Sequence, residues 1–231
     1  MLNLSSNESV IAMSFDLTIP QPGGLSLDLS VTAGETLFVL GANGTGKSNL
    51  MQRFYSNHQG NARRMSAHRQ TWFDTNRINL SPERRRNNET NIRNYDAESE
   101  SRWRDSYSSH RPNMAIYDLI DAENVRARLI ARAVDLDNID RAKAISKEDA
   151  PIKIINELLS LSNIPIQISV LENDQVVARK SNGEPYSVSQ LSDGKRNALL
   201  VAVDVLTAKP GTLILIDEPT AICTDLSSPH C

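Results

Sequence analysis

The stretch GANGTGKS, residues 41–48, constrains this chain more than any other. It fits G-x-x-x-x-G-K-[ST]. It follows "TLFVL" (36–40), an apolar run that predicts a short buried strand, and precedes "SNLMQRFYSN" (48–57), which predicts a helix. Strand, glycine loop and helix in that order are the setting of a phosphate-binding loop. Gly41, Gly44 and Gly46 let backbone N–H groups turn inward around phosphate oxygens. The helix behind them points its positive end at the same place. Lys47 would neutralise the β- and γ-phosphates, and Ser48 would ligate Mg²⁺. Asn43 and Thr45 count with the loop as nucleotide-contacting positions.

A second run supplies matching chemistry. "TLILIDEP" (212–219) sends four apolar residues into Asp217 and Glu218. Alone, this would be a strand ending in a solvated acid pair. Beside a phosphate-binding loop, the aspartate can hold the Mg²⁺ shell and the glutamate can orient and deprotonate an attacking water. Glu218 and Lys47 are therefore the candidate catalytic residues, and ATP with Mg²⁺ is the expected ligand.

Bulk properties narrow the setting. A net charge of −3 over 231 residues argues against a generally basic nucleic-acid binder. No apolar run is long enough to span a bilayer. The start, "MLNLSSNESVIAMSF", lacks a signal peptide's basic residues and long apolar stretch, so a cytoplasmic protein is expected. The two cysteines, Cys223 and Cys231, and the four histidines show no zinc spacing.

Along the chain, residues 10–40 read as strands, with a turn at "PQPGG". Residues 61–111 change character: eleven arginines, no lysine, seven acids and seven asparagines. Few apolar residues recur there at helical or strand spacing, which predicts an inserted, partly helical segment. Arg63, Arg64, Arg69, Arg84, Arg85 and Arg86 could bind nucleic-acid phosphate, with Trp72, Trp103 and Tyr107 stacking on bases. The plainer reading is a solvated lid with paired charges, and the interspersed acids favour it. Helices are expected over 112–136 and 149–162, strands at "IPIQISVL" and "QVVARK", and a further helix at "SDGKRNALLVAVDVLTA" (192–208). His68 and His110 read as surface residues.

"SQLSDGKRNALL" (189–200) opens that last helix with a Ser-x-Gly turn, offering a hydroxyl and free N–H groups to an anion. Its order and spacing relative to the other motifs resemble the LSGGQ signature of ABC-type ATPases. Ser192 and Gly194 match, while Asp193 and Lys195 depart from it. Gln70, in "SAHRQTW", resembles that family's Q-loop glutamine, which implies a nucleotide and metal contact. The short "LSDGKRN" signature and the arginine-rich insert are most similar to SMC-like and OLD-like heads, including ATPases of bacterial anti-phage systems such as Septu and retron-associated systems.

The resemblance implies an α/β P-loop NTPase core with N-terminal antiparallel strands and a helical or irregular insertion. Residues 1–60 would carry the strands and P-loop, 61–164 the insertion and helical subdomain, and 165–219 the signature helix and acid-bearing strand. It also implies a homodimer closing over ATP, the signature of one copy meeting the phosphate held by the other, and an effector partner such as a nuclease. Two alternatives stay open. One is a transporter's ATPase subunit, since "DEPT" and Asp225 resemble a D-loop with the aspartate one place late. The other is a nucleotide-binding product without turnover.

The residues after Pro219 are expected to be an aberrant tail, with the C-terminal part of the core missing. Only thirteen residues follow Glu218, too few for the further helix and strand that the family carries. "TAICTDLSSPHC" has no helical apolar period. Back-translated and read from the third base of each codon, it permits RHLHRSIISPL, which resembles the H-L-H stretch that follows "DEP" in SMC-like and OLD-like heads. A frameshift and a native short tail are the competing explanations, and the coding DNA separates them.

Overall fold

The computed structural model describes residues 13–66, 80–172, 174–180 and 183–217. Strands β1 (Ser14–Pro20) and β2 (Ser26–Thr32) form an antiparallel hairpin. Its turn passes through Gly23 and Gly24, both at φ above +80°, a conformation that suits glycine. Helix α1 (Lys47–Asn57) leads to β3 (Ala62–Ser66). Helices α2 (Pro82–Ala97), α3 (His110–Asp135), α4 (Ile139–Lys147) and α5 (Pro151–Leu161) follow. Then come β4 (Gln167–Val170), β5 (Val176–Arg179), β6 (Tyr186–Ser187), α6 (Asp193–Leu206) and β7 (Leu213–Asp217).

Local chemistry sets several boundaries. Ser81 caps α2 by accepting from the Arg84 N–H, and Pro82 takes the first helical position, where its missing donor costs nothing. Helix α5 also begins with a proline, Pro151, but with no side-chain cap. Just past its end, Asn163 at φ 55° turns the chain so that Ile164 N–H reaches the Leu159 carbonyl.

The main core lies where α3, α5 and α6 pack with β4 and β5. Leu119, Ile155, Leu159, Ile168, Leu199 and Val203 are all buried there. Ile155 and Leu159 stand four apart, one above the other on the same face of α5. Each such side chain contributes about 1.5–3 kcal/mol of burial. A smaller cluster joins Leu17, Phe54, Tyr55 and Leu215, docking α1 against β1 and β7.

β3 pairs with β7 in parallel, Arg64 opposite Leu215 and Ser66 opposite Asp217. Residues 62–66, expected at the head of the insertion, thus share a sheet with the acid-bearing strand. One expectation is overturned. Residues 36–40, read as a buried strand, form no ladder with any described residue. Phe38 is 76% and Leu40 89% exposed. Strand propensity is local, but a strand is stable only when a neighbour takes its N–H and C=O groups. Among the described residues nothing supplies that neighbour.

Candidate functional site

The loop over 41–46 closes through its own bonds. Lys47 Nζ donates to the carbonyls of Gly41 and Ala42 at 2.8 and 2.9 Å. Thr45 Oγ1 donates to the Ala42 carbonyl at 2.8 Å. Gly44 and Gly46 sit at φ 82° and 89°, and a Cβ on Gly41 would fall 2.8 Å from Thr45 Oγ1. The backbone path therefore requires glycine at 44 and 46, while at Gly41 it is the Thr45 side chain that leaves little room for a Cβ. Asn43 lies in the exposed turn between them. Gly46 starts α1, so the free N–H groups of its first turn face the loop.

Asp217 ends β7 and is 7% exposed. Ser48 Oγ, on the first turn of α1, lies 3.4 Å from its Oδ1. Two oxygen ligands of the type Mg²⁺ favours thus meet from segments far apart in sequence. Among the described residues no cluster of three or more His, Cys, Asp or Glu side chains forms, so phosphate and water oxygens would complete such a shell.

The insertion reaches this site at two points that sequence reasoning did not find. Arg64, 3% exposed, places Nη2 3.6 Å from Asp217 Oδ2 and donates from Nη1 to Ser101 Oγ at 2.9 Å. The next residue, Arg102, donates to Asn49 Oδ1 at 2.8 Å. The other arginines divide. Arg63 pairs with Asp204, and Arg85 makes a bidentate pair with Asp118 and a contact with Glu89. Its guanidinium pKa is raised, chiefly by the hydrogen bond to Asp118. Arg84 and Arg86 are exposed, as is Trp103, over which Arg102 stacks at 5.2 Å. Arg63, Arg64 and Arg85 are thus paired, as the plainer reading expects, but Arg63 and Arg64 find their acids on α6 and β7, and Arg64 is buried rather than solvated.

Ser192 and Gly194 lie at the opening of α6. Ser192 precedes the helix with its hydroxyl unused as a cap. It borders an open cleft with Lys180, Tyr186, Gln190 and Lys195. Gln70, Glu218, His68, Arg69, Trp72 and the tail from Thr220 lie outside the described residues.

A glycine loop at a helix start, with the first turn of that helix against the strand-end aspartate of a parallel pair, defines a P-loop nucleotide-binding core. A family model described as ABC transporter matches residues 25–221, and the chain belongs to that family through its ATPase domain. Domains of this kind bind ATP, usually with Mg²⁺, and the oxygen ligands found here fit that ion. No curated protein and no solved structure matches the chain. No helix among the described residues is long and apolar enough to cross a membrane.

Proposed function

We propose that this chain is an ATP-binding head that pairs with a second copy across ATP and controls an effector protein of nuclease type, in anti-phage defence or DNA metabolism. Lys47 holds the β- and γ-phosphates, Ser48 and Asp217 hold Mg²⁺, and Glu218 activates water. Gln70 adds a nucleotide and metal contact. The observation that carries the reading is the approach of Ser48 to Asp217, 3.4 Å apart on separate elements beside a closed P-loop. The cleft at the opening of α6 supports the dimer. Ser192 and two lysines there suit the phosphate of a partner's nucleotide, while the P-loop residues do not line it.

The test is the molar mass in solution by light scattering. With Glu218→Gln to slow hydrolysis, MgATP should double the mass, and Ser192→Arg should prevent it while leaving ATP binding intact. A mass unchanged by MgATP in a chain that binds it sinks the dimer. Co-purification with an integral membrane protein would favour a transporter subunit instead.

A further inference from the structure

We infer that Arg64 is a positioning residue for the metal-ligating aspartate, and that the Ser99–Arg102 turn of the insertion clamps both halves of the metal site. The inference rests on the reading of Ser48 and Asp217 as the Mg²⁺ holders.

Asp217 divides its two oxygens. Oδ1 faces Ser48 at 3.4 Å, and Oδ2 faces the Arg64 guanidinium at 3.6 Å. The torsion that turns a carboxylate plane is broad and soft. A buried planar cation on one oxygen restricts it and keeps the other aimed at Ser48. Arg64 can do this because β3 and β7 run parallel. Positions 64 and 66 share a face of β3, and 215 and 217 the matching face of β7, so the side chain needs only to reach along the strand pair.

Arg64 is itself held. Its Nη1 donates to Ser101 Oγ, and that hydroxyl lies 2.8 Å from the Glu98 carbonyl and 3.1 Å from that of Asp96. The turn is thereby fastened to the end of α2. Arg102 in the same turn donates to Asn49, the residue after Ser48. One short turn therefore touches the element that carries Ser48 and, through Arg64, the side chain of Asp217. Displacing it would loosen both metal ligands together. This gives the arginine-rich insertion a direct mechanical route to the nucleotide site.

The test uses variants that conserve charge, so that changed repulsion between Arg64 and Mg²⁺ does not obscure geometry. Arg64→Lys keeps the cation but cannot bridge Ser101 and Asp217 with a planar fork. Ser101→Ala keeps Arg64 and removes its tether. Two quantities are read on the full chain: the Mg²⁺ concentration giving half of the ATP-dependent thermal stabilisation, and ATP affinity in EDTA. Loss of a group that orients a metal ligand typically costs about 10–100-fold in metal affinity. Arg64→Lys should raise the Mg²⁺ half-saturation about 10-fold, Ser101→Ala should raise it in the same direction, and ATP affinity in EDTA should stay within about twofold. Should Arg64→Lys fail to fold, Ser101→Ala and Asn49→Ala decide, the latter removing the exposed acceptor of Arg102 without changing any charge. Unchanged Mg²⁺ half-saturation in the folded variants overturns the inference. So does an equal loss of affinity with and without Mg²⁺, which marks a purely structural role. A parent chain that binds no MgATP overturns the proposed function first, and the inference with it.

Discussion

Arg111→Met should destabilise the chain strongly. Arg111 lies in the first turn of α3. It donates to both oxygens of Asp96, at 2.7 and 3.1 Å, and through Nε to Asp105 at 2.9 Å. Asp96 is 2% exposed. Burial works against the guanidinium charge, but Asp96 and Asp105 outweigh it, and the Arg111 pKa is raised. A cation with a raised folded pKa gives stability that is complete below the unfolded pKa and lost only as pH rises through the folded value. At neutral pH the contribution is therefore whole, and substitution rather than pH is the way to remove it. Taking one partner from a buried pair costs about 3–5 kcal/mol. The Arg111 side chain keeps 18% exposure, so the lower end, about 3 kcal/mol, applies. At this chain length about 1 kcal/mol moves Tm by roughly 2–4 °C, so a fall of about 6–12 °C is expected. Urea unfolding at pH 7 gives the free energy directly. Replacing both partners, as Asp96→Leu with Arg111→Met, should recover part of the loss, since apolar side chains of similar volume need no counter-charge. A cost below about 1 kcal/mol for Arg111→Met alone would refute the argument, because that is what a solvated surface pair gives.

Lys47→Ala should abolish the thermal stabilisation that MgATP gives the parent chain, since the phosphate contact is lost; equal shifts in both proteins would count against the P-loop assignment. Steady-state hydrolysis should fall well below about 1 per second, because residues 36–40, which carry the loop, have no ladder partner among the described residues; sustained turnover at that rate would show the core to be catalytically complete. Glu35 Oε2 accepts from the Thr32 N–H at 2.8 Å, and that backbone hydrogen bond lowers its pKa from the ordinary 4.5. A lowered folded pKa gives stability present above the ordinary value and lost as pH falls through the folded one, so the Thr32–Glu35 turn should loosen only below the usual glutamate range. An NMR titration that places Glu35 at or above 4.5 would contradict this.

Much of the site was legible because its chemistry is written in adjacent residues. The glycines of 41–46, Lys47 and Ser48 form one local pattern, and Asp217 stands where an apolar run ends. Helices α3, α5 and α6 were legible from apolar spacing, and they build the main core. Helix α4 was missed, though Asn138 gave a signal: its side chain accepts from the Arg141 N–H as a helix cap. What the sequence could not show is pairing across distance. Arg64 read as one of several arginines of the insert, paired with nearby acids or open to nucleic-acid phosphate, with nothing to single it out. Only the parallel register of β3 and β7 places it on Asp217. Ser101 and Asn49 carry no signal of their own, since each matters only through the arginine that reaches it.

The exposed segment 36–40 feeds the loop that presents Ser48, which sets it in conflict with the assembled Ser48–Asp217 pair. The conflict dissolves once the anchor of Ser48 is identified. Leu50, Met51, Phe54 and Tyr55 pack α1 into the cluster that contains Leu215. Gln52 adds a hydrogen bond to the Ala97 carbonyl at 2.7 Å. The helix, and not the segment that precedes the loop, therefore sets Ser48 against β7. The loop needs only its own bonds, those of Lys47 and Thr45 to Gly41 and Ala42, to keep its shape. On the proposed reading, binding and turnover rest on different parts of the molecule. The proposed phosphate and metal contacts depend on α1, β7 and the Ser99–Arg102 turn. Holding an attacking water and a transition state to within a fraction of an ångström demands a loop fixed from both sides, and 36–40 leaves one side unsupported among the described residues.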